Sequence, residues 1–257
     1  MKLHITHSTR YQYDQPVDYA LQKVRLRPLS SVLQTVGPWD VTIEGGKIEA
    51  SYQDHYGNHT DLVSATPGTE QLSITAKGVV ETNDTAGVLG HVYGRAPLWH
   101  FQQQTALTEP GAGVKGLSAV IGKAKDTLDG LHELSMAIIG AAPYEIGKTN
   151  ATTTAEQALD LGAGVCQDHA NIFVSAARVA GLPARYVSGY LMMDDRVDQD
   201  ASHAWAEVHL PDLGWVGFDV SNGISPDARY VRIAVGRDAR DAAPISGLRM
   251  GSSYEQM

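Results

Sequence analysis

Cys166 is the only cysteine in the chain. It follows Gly164-Val165 and opens a run to Ala180 in which Ile172, Phe173, Ala176, Ala177 and Val179 recur at helical spacing, with Gly181 and Pro183 as stop signals. A sulfur in the first turn of a helix lies near free backbone N–H groups at the positive end of the helix dipole, which favours thiolate. The same amides can donate to an oxyanion forming on an attacked carbonyl. The competing reading is a buried structural cysteine, the usual fate of a free thiol. With one cysteine no intramolecular disulfide can form, so thiol content does not mark the protein as secreted.

A candidate base and its orienter come later in the chain. Ser202 to His209 alternates polar or aromatic residues with small apolar ones, a strand with two faces on which His203 points the same way as Trp205. The next run, Gly214 to Asp219, is joined to it through Pro211-Asp212-Leu213-Gly214, a composition suited to a tight antiparallel reversal. That hairpin brings Asp219 to within a residue or two of the register of His203. An imidazole needs such a carboxylate to fix its tautomer and to stabilise its charged form during proton transfer. Taken singly, a strand histidine is most often a surface residue and an aspartate after a strand a turn former. Together, Cys166, His203 and Asp219 supply a nucleophile, a base and an orienter. Zinc is a weaker reading: Cys166, Asp168, His169, His203 and His209 are ligand types, but no Cys-x-x-Cys or His-Glu-x-x-His spacing organises them. No metal or cofactor is implied.

The elements that must hold these residues read as an α+β chain. From Lys2 to about Thr82, short alternating runs (Leu3 and Ile5; Val41 and Ile43; Ile48, Ala50 and Tyr52; Leu72, Ile74 and Ala76) predict half-buried strands, with turns at Gly45-Gly46 and Tyr56-Gly57-Asn58. A small β-sandwich domain over residues 1–95 is expected, with an irregular connection running on to about Pro110. Beyond it the period changes to about 3.6. Leu128, Leu131, Leu134, Ile138 and Ile139 form a core-facing stripe, and Thr153 with Glu156 reads as a capping box. Strands are expected at Arg185 to Met192, Ala204 to Leu210, Gly214 to Val220 and Arg229 to Val235. Helices followed by antiparallel strands define an α+β domain over residues 96–257.

Composition narrows the partners. The 257 residues carry 20 Lys+Arg against 29 Asp+Glu, a formal net charge of -9. Such a balance repels phosphate backbones and anionic lipid surfaces, so neither nucleic acid nor a membrane is an expected partner. The start, MKLHITHSTRYQY, lacks the basic-then-apolar layout of a signal peptide, and no window approaches about 18 consecutive apolar residues. A cytoplasmic location is therefore expected. Oligomeric state leaves no signature in the sequence.

Four segments closely resemble the bacterial transglutaminase-like cysteine peptidase superfamily: Gly164-Val165-Cys166-Gln167-Asp168-His169-Ala170, Gly181 to Tyr190, His203-Ala204-Trp205-Ala206-Glu207-Val208 and Gly217-Phe218-Asp219. Ser8-Thr9-Arg10-Tyr11 and Tyr56-Gly57-Asn58 are similar to that family's N-terminal β-domain, and Val235-Gly236-Arg237-Asp238 extends the likeness toward the end. The resemblance implies a papain-like core, helices packed on an antiparallel sheet, with a Cys-His-Asp triad that forms a thioester from a peptide or amide substrate. Water then gives hydrolysis, and an amine gives transglutamination. Bacterial relatives point toward protease or amidase hydrolysis. Carried over position by position, Cys166 is the nucleophile, His203 the general base and later acid, and Asp219 its orienter. Tyr144 looks like the aromatic position ahead of the nucleophile and lines the site, with Gln167, Asp168, His169 and Trp205 beside it. His169 reads as a packed or substrate-facing polar residue. Trp205 and Trp215 read as packing next to the site. Two departures stand out: Asp219-Val220-Ser221-Asn222-Gly223 replaces the more usual Asp-Pro-Thr-Asn, and the chain stops at Met257, where relatives often add a last strand. Because a fold alone does not establish activity, a binding module that has lost its chemistry is the alternative from another class.

Overall fold

The computed structural model describes residues 1–92, 95–193, 202–250 and 255–256, the last two and 248–250 by backbone alone. The alternating N-terminal runs form β1 (Lys2–Val17), β2 (Tyr19–Val24), β3 (Gln34–Glu44), β4 (Gly46–Gln53), β5 (His59–Ala65) and β6 (Thr69–Thr82). Gly45 turns β3 into β4 at φ +78°, and a Cβ there would stand 2.0 Å from the Gln71 carbonyl oxygen. Only glycine fits that turn. The Tyr56-Gly57-Asn58 turn is closed by Asp54, whose Oδ1 accepts from the backbone N–H of Tyr56 and of Asn58, both at 2.9 Å. One expected alternation fails in β4. Ile48 is opposite the buried Val63, but a bulge follows, so Ala50 faces Leu62 and is exposed together with Tyr52. An extra residue in a strand moves everything after it to the other face.

The second group of elements begins with β7 (Val88–Gly90) and continues through α1 (Ala112–Ser118), α2 (Thr127–Ala141), α3 (Ala155–Leu161) and α4 (Cys166–Val179). It then runs on as β8 (Ala184–Leu191), β9 (His203–Leu210), β10 (Gly214–Phe218) and β11 (Tyr230–Gly236). Asp126 caps α2 by accepting from Asp129 N–H at 2.9 Å, and the stripe Leu131, Leu134 and Ile138 is fully buried. The capping box of α3 is Thr154 with Gln157, one residue beyond the expected Thr153 with Glu156. Both expected residues are engaged elsewhere. Thr153 Oγ1 accepts from Asn150 N–H, and the Glu156 carboxylate accepts from Gly111, Gly113 and Val114 N–H at 3.0, 2.6 and 3.0 Å, closing the start of α1. The sheet order is β11-β8-β9-β10-β7. Against it, α4 buries nearly every residue from Asp168 to Arg178, in a core where Phe173 stacks on Phe218 with ring centroids 5.1 Å apart. Aromatic pairs of this kind contribute about 0.5–1.5 kcal/mol beyond the area they bury.

The last strands, β12 (Ile245–Met250) and β13 (Glu255–Gln256), pair with β2 and β1 and take the edges of two four-stranded sheets, β12-β2-β5-β4 and β13-β1-β6-β3. Tyr11, Val24, Val41, Val63, Leu72 and Ile74 fill the core that these sheets share. The compact units are therefore Met1–Asn83 with Val231–Ala234 and Ala243–Met257, and Asp84–Tyr230 with Val235–Ala242. A single division at residue 95 does not describe them. Strand pairing decides membership: β7 lies along β10 although it precedes residue 95, and β12 returns to β2 although it lies far along the chain. No helix among the described residues is long and apolar enough to cross a membrane.

Candidate active site

Cys166 is the first residue of α4, and three neighbours fix that helix start. Asp168 reaches back, its Oδ2 accepting from Val165 N–H at 2.8 Å and from Thr149 Oγ1 at 2.6 Å. Gly164 donates to the Pro143 carbonyl at 3.2 Å and accepts from Glu145 N–H at 2.9 Å, which sets Tyr144 alongside it in a parallel bridge. Gln167, half-buried, points its amide at the Asn150 carbonyl from 3.5 Å. The nucleophile candidate is thus held at a free helix N-terminus by bonds on both sides of the turn.

His203 is the first residue of β9, opposite Gly189 of β8, and Asp219 directly follows β10. The hairpin brings them together: His203 Nε2 donates to Asp219 Oδ2 at 2.6 Å. Cys166 also acts on this imidazole to favour its charged form, and with Nε2 given to Asp219 the ring nitrogen left to serve a thiol is Nδ1. Burial alone would push His203 down. The hydrogen bonds and opposite charge from Asp219 and Cys166 outweigh it and raise the imidazole from 6.5 to about 9. Asp219 is buried, which by itself favours the neutral acid, yet donation from His203, Tyr230 and Asn222 holds it below its usual range.

The other expected site residues divide into two groups. Tyr144 is 52% exposed, its ring 6.0 Å from that of His169. His169 is 1% exposed and packs rather than facing solvent. Its Nε2 bonds the Ala142 carbonyl at 2.7 Å, so that nitrogen carries the proton, and Nδ1 accepts from the Ser221 hydroxyl at 2.8 Å. Burial pushes its pKa down, consistent with a neutral ring tying the end of α2 to the Asp219 turn. Trp205, 3% exposed, clusters with His203 and Tyr230, stacked on the imidazole at 6.4 Å and edge-on to the phenol at 5.5 Å. Trp215 packs under Arg185, whose guanidinium carbon is 3.7 Å from the ring centroid. His209 stands against Trp215 and His91. Among the described residues, no group of three His, Cys, Asp or Glu side chains is placed to hold a metal ion.

Two further residues serve the carboxylate. Tyr230 OH donates to Asp219 Oδ2 at 2.7 Å, and Asn222 donates to the same oxygen through Nδ2 at 2.7 Å. Asn222 was readable as the asparagine of the Asp-Pro-Thr-Asn turn, which this chain keeps while changing the two residues between. The turn still closes: Asp219 N–H donates to the Ile224 carbonyl at 2.8 Å and Ile224 N–H to the Asp219 carbonyl at 3.2 Å. Tyr230 belongs to no local motif and depends on β11 lying beside β8.

Known proteins share the sequence pattern and the fold of this chain. The transglutaminase-like superfamily core matches residues 115–220, and the bacterial transglutaminase-like N-terminal region matches residues 3–81. The chain thus carries a transglutaminase-like superfamily core together with a bacterial transglutaminase-like N-terminal region. It is 28% identical over 270 residues to the uncharacterized protein ML0607 of Mycobacterium leprae, covering 97% of this chain and 94% of that one. It is also 28% identical over 275 residues to the uncharacterized protein Rv2569c of Mycobacterium tuberculosis, covering 95% and 86%. A shorter stretch of 75 residues, 26% of this chain and 11% of the other, is 32% identical to a protein-glutamine gamma-glutamyltransferase of Pseudomonas aeruginosa. The crystal structure of a candidate cysteine protease from Cytophaga hutchinsonii has the same fold, with a TM-score of 0.79 at 24% identity over 100% of this chain and 89% of that one.

Proposed function

We propose that this protein is a thiol-dependent amide-bond hydrolase, a peptidase or amidase that works through a thioester on Cys166. One observation supports the reading: His203, raised to about 9 by Asp219 and Cys166 together, is hydrogen-bonded to the buried Asp219 carboxylate, and Cys166 stands at a helix N-terminus. With His203 protonated, the Cys166 sulfur attacks the amide carbon as thiolate, and the carbonyl oxygen takes up the negative charge near the amides of the α4 first turn. The tetrahedral intermediate collapses as His203 gives its proton to the leaving nitrogen; the C–N bond breaks and an amine departs. Neutral His203 next removes a proton from water, whose oxygen attacks the thioester. The C–S bond breaks, leaving a carboxylic acid and restoring thiolate and imidazolium. Asp219 keeps the ring oriented and stabilises its charge throughout.

Acyl transfer is the second reading, favoured by the local likeness to a protein-glutamine gamma-glutamyltransferase. In it an amine rather than water takes the acyl group. Mass spectrometry of a peptide-library reaction, run with and without an added primary amine, separates the two. Hydrolysis predicts products gaining one water whether or not amine is present; amine-containing products in place of acids establish transfer. Cys166→Ala must abolish either reaction while the variant stays folded, since a small residue replaces a small, near-apolar one. Turnover surviving in that variant rules out both readings.

A further inference from the structure

Tyr230 and Tyr186 serve the proposed triad from different sides, Tyr230 at the carboxylate and Tyr186 beside the thiol. Tyr230 gives its hydroxyl to Asp219. Tyr186, on β8, is 4% exposed and sits in a small cluster with Leu107, Ala170 and Ala204, against which Cys166 packs. Ala170 is one helical turn beyond Cys166, so both lie on the face of α4 that meets Tyr186. Ala204 is the neighbour of His203 on β9, and Tyr186 stands opposite Ala206 in the register of β8 with β9. The small side chains at 170 and 204 leave the ring between the nucleophile's helix and the histidine's strand.

The Tyr186 hydroxyl makes no hydrogen bond among the described residues. After burial itself, the groups that act on it most are Cys166, then Asp168 and Asp238, and they keep it protonated well above its ordinary range. It is therefore a donor at any pH the protein meets. Asp238 is engaged with Asp241 N–H, and Asp168 Oδ2 with Val165 and Thr149. Asp168 Oδ1 is buried without a partner, and is the structural competitor for this hydroxyl.

We infer that Tyr186 is a catalytic residue whose hydroxyl donates a hydrogen bond to the oxyanion formed when the Cys166 sulfur attacks the substrate carbonyl, complementing the backbone amides of the α4 first turn. No proton is transferred. The phenol keeps its hydrogen, and the bond strengthens as charge develops on the carbonyl oxygen. Fixed donors aimed at developing charge in a dry cleft are where such enzymes gain most. The inference deepens the proposed function and rests on it.

Tyr186→Phe removes only the hydroxyl. The expected result is a fall in kcat of roughly 10²–10³-fold with KM little changed. A comparable loss is expected in affinity for a peptide aldehyde, which adds to the thiol and places an oxyanion in the same position. The pH profile of Cys166 alkylation by iodoacetamide and the melting temperature should both stay as in the parent. A kcat within twofold of the parent overturns the inference. So does a displaced alkylation profile, which would give the hydroxyl to the thiolate, or a lowered melting temperature with kcat kept, which would give it to Asp168. Should the phenylalanine variant not fold, a ring-fluorinated tyrosine at 186, a stronger donor of the same shape, must change kcat and leave alkylation alone. An inactive parent, or turnover surviving Cys166→Ala, defeats the proposed function itself; an active parent with a fully active Tyr186→Phe variant defeats only this role.

Discussion

Tyr230 and His203 donate to the same oxygen of Asp219, Oδ2, from 2.7 and 2.6 Å. The phenol therefore shares the charge with the imidazole and helps to keep the buried carboxylate ionised. Removing the hydroxyl in Tyr230→Phe leaves the ring against His203 and Trp205 but takes one charge-assisted bond from Asp219. Such bonds contribute about 1.5–3 kcal/mol. The expected outcome is a kcat reduced on the order of tenfold, a KM unchanged and stability lowered by about 1–2 kcal/mol. Steady-state kinetics together with urea unfolding test it; a kcat equal to the parent's would remove Tyr230 from the positioning of the base.

The three residues of the proposed triad were legible because each stands where an element begins or ends. Gly164-Val165 announces the helix that Cys166 opens, and Pro211 to Gly214 fixes a hairpin whose register can be counted from His203 to Asp219. Asn222 was legible through the spacing of the turn. Tyr186 and Tyr230 were not, since what they touch depends on how β8 and β11 come to lie near the helix and the hairpin, and long-range pairing leaves no local pattern. The capping box shows a different limit. Thr153 with Glu156 and Thr154 with Gln157 have the same spacing, and only the exposed backbone at the start of α1, recruiting Glu156, decides between them. The compact units are not contiguous in the chain for the same reason: edge strands join sheets by pairing, whatever their place in the sequence.

The raised pKa of His203 gives a pH dependence with a defined sign. Its folded value of about 9 lies above the ordinary 6.5, so its stabilisation, on the order of 3 kcal/mol, is fully present below pH 6.5 and is lost as pH rises through about 9. Asp219 is displaced downward, so its contribution is present above 3.8 and is lost only as pH falls through its lowered folded value. Acylation needs the imidazolium to protonate the leaving nitrogen, so kcat/KM should decline above about pH 9. Asp219→Asn takes away the charge that holds the proton and should move that alkaline limb downward. Rate profiles of the parent and the variant, taken from below the ordinary histidine pKa to above the raised one, give the answer. An alkaline limb that stays in place in Asp219→Asn would dissociate the carboxylate from the base.

The approach of Gly164 to Asp168 leaves no room for a side chain. A Cβ on Gly164 would stand 2.8 Å from the Cβ of Asp168, well inside the 3.5–4.0 Å at which carbon atoms rest, a separation of about one van der Waals contact. Relief requires either that Asp168 leave Val165 N–H and Thr149, or that Gly164 leave its pairing with Pro143 and Glu145. Both movements shift the first turn of α4 and with it the sulfur. Gly164→Ala should therefore cost about 1–3 kcal/mol of stability and, because a misplacement near 1 Å is worth up to about 10²-fold in rate, lower kcat by more than the stability loss alone would cause. Turnover measured well below the melting temperature, where the variant is fully folded, isolates the second effect. A folded Gly164→Ala variant with parental kcat would mean that the nucleophile tolerates displacement of its helix start, contrary to the placement argued from Asp168.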